Sequence, residues 1–175
     1  TANLTNNDSI SNGIININNG SKLDNSDYVS AVSINNYGTL VNSDTIVTDN
    51  LKNTTADFTN TGSVTVSNSL DNTGTIANNS TLNLNGGTSS APMVNNGTIN
   101  GSGTLNINGI VSNSNSISGN DIVISSTGKL SSSADNLSDK DKSITNDGTL
   151  ELTAGNLSDN VSGSTGVTTG HTDIK

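Results

Sequence analysis

The sequence predicts an all-β protein, a parallel β-solenoid (β-helix) whose coils take about 18 residues and pass over three faces in a triangular section. Three observations carry this expectation. Single apolar residues recur every sixth position, a stronger strand recurs every third hexad, and small polar residues take the place of a conventional core.

Stepping by six from Ile34 gives Leu40, Ile46, Lys52, Phe58, Val64, Leu70, Ile76 and Leu82. Eight of these nine are apolar in a chain that is 29% hydrophobic, where chance gives about two or three. A second phase runs Met93, Ile99, Leu105, Val111, Ile117, Val123. The residue before the apolar one is commonly Thr or Ser, as at Thr39, Thr75, Thr98 and Thr104, and before that stands a turn former such as Gly38, Gly74, Gly97 or Gly103. An amphipathic helix needs apolar residues at i, i+3, i+4 and i+7, and Asn, Gly and Thr are poor helix formers, so a helical reading fails. On a strand, alternation turns Thr98 outward and Ile99 inward. Gly and Asn are expected at the corners because they tolerate φ > 0. Stacking at about 4.8 Å lets Asn and Thr form hydrogen-bonded ladders from coil to coil.

Taken in order, Ile14–Gly20 reads as a strong strand and 21–30 as an insertion. Every third hexad from Ile46 onward carries two inward residues, as in Val64-Thr65-Val66, Leu82-Asn83-Leu84 and Leu105-Asn106-Ile107. GGTSSAP, Gly86 to Pro92, holds the residues that shift the phase and reads as a loop at a corner. Residues 131–142 read as a polar excursion, and the pattern returns over Ile144–Leu152. Residues 1–160 are thus one solenoid of about seven coils, a rod of roughly 35 Å. Residues 161–175 read as a cap, linker or tail.

Composition limits function. Asn, Ser and Thr supply 84 of 175 residues, the net charge is −9, and every basic residue is a lysine. Without a basic stripe or aromatic platforms, nucleic acid is excluded as a partner, as is docking on anionic lipid. There is no cysteine for disulfide or thiolate chemistry. No apolar run reaches the roughly 20 residues that span a bilayer, so no membrane insertion is expected. The start shows no signal-peptide pattern and reads as a mature or excised end.

The phrases NNGTINGSGTLNING, NTGTIANNSTLNLNGG and NDGTLELTAGN resemble the passenger domains of bacterial autotransporters and related type V secreted adhesins. The resemblance covers roughly 34–156. It implies a right-handed parallel β-helix on the bacterial cell surface, extracellular, elongated and non-catalytic. The strict hexad also suits a left-handed helix with 18-residue triangular coils; the right-handed form is favoured.

Candidate chemistry is sparse. His171 is the only histidine and stands among threonines near the chain end, so a solvated tail residue is expected rather than a triad or metal ligand. Asp44, Asp49, Asp57 and Asp71 fall at scattered corners, while Asp121 and Asp147 read as turn residues, not as converging carboxylates. Asp135, Asp139 and Asp141 lie close together around Lys140 and Lys142, but match no calcium-loop spacing and read as a solvated loop. Asn-x-Ser/Thr triplets, such as those at Asn53, Asn78, Asn79 and Asn96, follow from composition. An ice-binding grid would need T-x-T on one face in every coil, and the outward positions vary. No catalytic, cofactor-binding or metal residue is therefore assigned, and no cofactor is expected.

The expected function is a non-catalytic extracellular structural or adhesive rod, a stalk or passenger segment of a bacterial surface adhesin. Its ligand on a host or neighbouring cell is not specified by these residues. The alternative is an extracellular filament subunit, a homopolymer that stacks head to tail through open strand edges.

Overall fold

The computed structural model describes residues 2–11, 13–137, 142–155, 157, 160–164 and 167–169. It is a parallel β-solenoid of about 8 turns, one more than the seven coils counted from the hexads. Each coil passes over three faces. The first is a six-stranded parallel sheet made of Asn3–Asn6, Lys22–Asn25, Thr39–Asn42, Asp57–Asn60, Thr75–Asn78 and Thr98–Asn100. The second and third faces are joined in one 15-stranded sheet, because strands such as Tyr28–Asn36, Thr45–Asn53 and Ser63–Asn72 run continuously around their shared corner.

Register follows apolar identity. Leu23, Leu40, Phe58, Ile76 and Ile99 pair in sequence along the first face, and all are buried. Val29, Ile46, Val64, Leu82, Leu105, Ile122 and Ile144 do the same along the second. Ile34, Leu51, Leu70, Met93, Val111, Leu130 and Leu150 line the third. A coil therefore buries few apolar atoms, but each lies between like neighbours above and below, so the column forms one unbroken core.

Several expectations are corrected. At two places the six-residue step names the wrong inward residue. Leu51 is buried and Lys52 exposed, because a register shift between Thr48 and Asn50 moves the strand by one. Ile122 and Ile124 are buried while Val123 faces outward, since Leu105 pairs with Ile122. Residues 21–30, expected as an insertion, contribute the strand Lys22–Asn25 and the start of Tyr28–Asn36. Within 131–142, Ser131 and Ser132 lie in the strand Lys129–Ser132, and Ala134–Asn136 form a 3-10 turn. Ala134 and Leu137 are buried in the core, so this part closes the first face rather than leaving it. Residues 85–92 lie between strands, where Thr88 and Ala91 exchange backbone hydrogen bonds of 2.9 and 3.1 Å.

The corner asparagines are not there for positive φ: among the described residues, Thr55 is the only non-glycine with φ > 0. They are buried, and they form two ladders. In the first, the Nδ2 of Asn6, Asn25, Asn42 and Asn60 each donates to the Oδ1 of the next, ending on Asn78, over 2.7–2.9 Å. In the second, Asn36, Asn53, Asn72, Asn95 and Asn113 donate in turn, the last to the Ser132 hydroxyl, over 2.6–2.9 Å. The same amides cap turn carbonyls, as when Asn60 donates to Gly62 O at 3.1 Å and Thr81 O at 2.9 Å. A buried carboxamide is tolerated only with its partners made, and here the next coil supplies them.

One coil lacks the first-ladder asparagine. Gly101 stands there with φ +118°, where a Cβ would collide with the Asn78 carbonyl oxygen. Asn78 instead donates at 2.9 Å to Asn120, 42 residues on, whose side chain fills the place the glycine leaves empty.

Candidate functional site: an axial groove with polar walls

The corner between the third face and the next first face carries a groove of about 370 Å³ that runs along the rod across successive coils. Its floor is Ala56, Gly74 and Gly97. The floor is bare for a reason of packing: a Cβ at Gly97 would collide with the Gly74 carbonyl oxygen, and one at Gly74 with that of Ala56. Coils that stack this closely leave nothing larger than the Ala56 methyl group at the corner, and the flanking residues become walls.

One wall is Thr55, Thr73 and Asn96; the other is Asp57, Thr75 and Thr98, held in register by parallel pairing. Asn115 lies at the end of the groove and donates to the Asn96 carbonyl at 3.2 Å. The second asparagine ladder lies beneath and fixes these walls. Asn36 donates to Asp57 O, Asn53 to Ala56 O and Thr75 O, and Asn72 to Thr98 O, over 3.1–3.3 Å. The Asn72 carbonyl in turn accepts from the N–H groups of Asn96 and Gly97. Thr55 holds φ 47°, a costly backbone state for a β-branched residue. The groove thus presents hydroxyl, amide and carboxylate groups, with no cation and no aromatic ring among its lining residues.

The other carboxylates named above are dispersed. Asp44 and Asp49 are exposed at corners, and Asp71 lies 3.8 Å from Lys52. Asp121 accepts from the backbone N–H and hydroxyl of Ser143 at 3.2 and 3.1 Å. Asp147 accepts from the backbone N–H of Ser164 and, second in effect, from its hydroxyl; these bonds hold its carboxyl below the usual range. Glu151 is held down chiefly by the Lys129 ammonium at 2.9 Å, then by the Ser131 hydroxyl. Asp135 is exposed in its 3-10 turn, while Asp139, Asp141 and His171 lie outside the described residues. Among the described residues, no three His, Cys, Asp or Glu side chains are grouped to hold a metal. Asn53 and Asn78, both in Asn-x-Ser/Thr triplets, are buried ladder members; Asn79 and Asn96 are exposed. Among the described residues no helix is long and apolar enough to cross a membrane.

The sequence contains the signal for the groove in Thr73-Gly74-Thr75 and Asn96-Gly97-Thr98, but the same Gly-Thr pair recurs at Gly103 and Gly148, which precede strands of the other two faces, while Gly38 stands at the groove's own corner one coil before Ala56. Only the coil register shows which copies share a corner. Comparison with known proteins finds no matching family model, no similar curated protein and no similar solved structure.

Proposed function

We propose that this chain is a non-catalytic extracellular rod, a stalk or passenger segment of a bacterial surface adhesin whose work is reach and contact. The observation that carries the reading is the pair of buried asparagine ladders running parallel to the apolar columns. They bind each coil to the next and give a thin chain lateral stiffness. Every described charged side chain lies outside that core, which suits a rod that presents its faces to water. Small-angle scattering of the chain tests the shape: a rod is expected with about 8 coils at ~4.8 Å each. Antibody labelling of intact source cells tests the location, and signal that appears only after permeabilisation overturns it.

A second reading, end-to-end assembly into a filament, draws on the strands Ser9–Ser11 and Ile14–Ile17, whose described pairing is to Tyr28–Asn36 alone. Leu4 continues the column of Leu23 and Leu40, yet is 54% exposed. Negative-stain imaging over a concentration series separates the readings, since filaments lengthen with concentration and single rods do not.

A further inference from the structure

We propose that the axial groove floored by Ala56, Gly74 and Gly97 binds a linear, neutral, hydroxyl-rich chain, that is, a glycan without charged groups, laid along the rod. This rests on the reading of the chain as an adhesive rod and supplies its ligand class.

The choice of ligand follows from what the walls offer. Thr55, Thr73, Thr75 and Thr98 each present a hydroxyl that donates and accepts, Asn96 an amide that does both, and Asp57 an acceptor pair. Such a set suits a ligand whose own groups are both donors and acceptors, as sugar hydroxyls are. An anionic chain would meet the Asp57 carboxylate, no cation in the groove, and a protein of net charge −9. An apolar peptide would find almost no apolar side chain to cover, since the floor is backbone and one methyl group.

Repetition makes the groove linear. Wall residues recur once per coil, at about 4.8 Å, so a chain lying along the axis meets comparable partners at each level. The ladder carboxamides hold the backbone of the Asp57, Thr75 and Thr98 wall, and the backbone carbonyls of Asn53 and Asn72 hold Thr73 and Asn96 on the other, so little ordering remains to be done on binding. Each contact is weak and exposed to water, and affinity arises from several levels acting together on one chain.

The test is calorimetric titration of the 175-residue chain with cello-, malto- and galacto-oligosaccharides, with hyaluronate oligosaccharides as the anionic probe. At least one neutral series is expected to bind and hyaluronate is not. Thr73→Ala combined with Asn96→Ala should weaken that binding at least tenfold without moving the thermal midpoint, because both side chains are exposed. Asp57→Asn, which keeps an acceptor and adds a donor, should retain binding. If no neutral series binds, if hyaluronate binds as well, or if the double variant binds undiminished, the groove is not a glycan site. Scattering from the same samples separates the two ideas: a rod that binds none of these sugars overturns the groove alone, and a chain that is not a rod overturns the rod reading.

Discussion

Asn60 shows how one polar residue can hold a solenoid together. It accepts from Asn42 at 2.8 Å and donates to Asn78 at 2.9 Å, to Gly62 O and to Thr81 O, all from a buried position. Asn60→Leu keeps the branching in a larger apolar side chain, breaks the ladder between Asn42 and Asn78, and removes the amide that Asn78 Oδ1 and Thr81 O accept from inside the protein. We expect a loss of about 3–5 kcal/mol, at roughly 1–3 kcal/mol per stranded buried group, read by urea unfolding. Asn79, next to a ladder member but exposed, serves as the control: Asn79→Leu should shift stability by about 0.5 kcal/mol or less. Gly101 is the reverse case. Gly101→Ala places a methyl group against the Asn78 carbonyl at φ +118°, so it should destabilise by more than the ~1 kcal/mol of an ordinary left-handed alanine. The measurement is the shift in urea midpoint.

At the scale of the element, the coil that follows Leu82 is longer than its neighbours. Asn83 and Asn106 stack 23 residues apart, whereas Asn60 and Asn78 are 18 apart. The extra residues lie in 85–92, where the exposed side chains of Thr88, Ser89, Ser90 and Ala91 touch no core column. Deleting 87–91 restores the shorter coil and leaves Met93 level with Leu70, as it is now. A folded protein is expected, with stability changed by about 1 kcal/mol or less, since loop length enters closure entropy only logarithmically. Loss of the β-rich circular dichroism spectrum would show that the loop holds the two halves in phase. On the third face, the strands Lys129–Ser132 and Thr149–Leu152 are linked by Lys129 and Glu151. The carboxyl of Glu151 lies lower in the folded chain than its ordinary value of 4.5, so folding is favoured while it is ionised. That contribution is present above pH 4.5 and disappears as pH falls through the lower, folded value. Asp147 acts in the same direction. Thermal midpoints should therefore fall on acidification below about pH 4.5, and less steeply in Glu151→Gln, whose side chain cannot titrate. Solvent screening keeps the effect small, because the Glu151 side chain is 42% exposed.

For the whole molecule, each coil is stable only through its neighbours, so damage at one level is felt along the rod. Phe58 is the only phenylalanine, buried mid-column between Leu40 and Ile76. Phe58→Ala opens a cavity in the first face and should cost about 3–5 kcal/mol. Because coupling runs from coil to coil, hydrogen exchange should quicken in the strands Thr39–Asn42 and Thr75–Asn78 before it does in Thr149–Leu152. Uniform quickening along the chain would mean that the solenoid unfolds as a single unit.

What the sequence determined by itself is the periodic part: parallel strands, roughly three per coil, with Leu40, Val64, Ile76 and Leu82 turned inward. An apolar residue in a polar chain has one favourable place, and its spacing is visible without a structure. Tertiary structure decided everything that depends on which coil lies above which. Lys52 and Val123 fit the six-residue step but point outward, because a one-residue shift reverses a strand's faces. Asn36 and Asn35 are neighbours of one type, yet Asn36 is fully buried and Asn35 is not. Alternation from Ile34 turns Asn36 inward, but the partners that make its burial tolerable, the carboxamide of Asn53, 17 residues on, and the carbonyl of Asp57, 21 on, are supplied only by stacking. The groove has the same origin. Glycine at positions 74 and 97 is legible, but that both are bare because one coil's carbonyl fills the space of the next coil's Cβ is a fact of stacking. Local chemistry sets the period, and only contact between coils sets the phase.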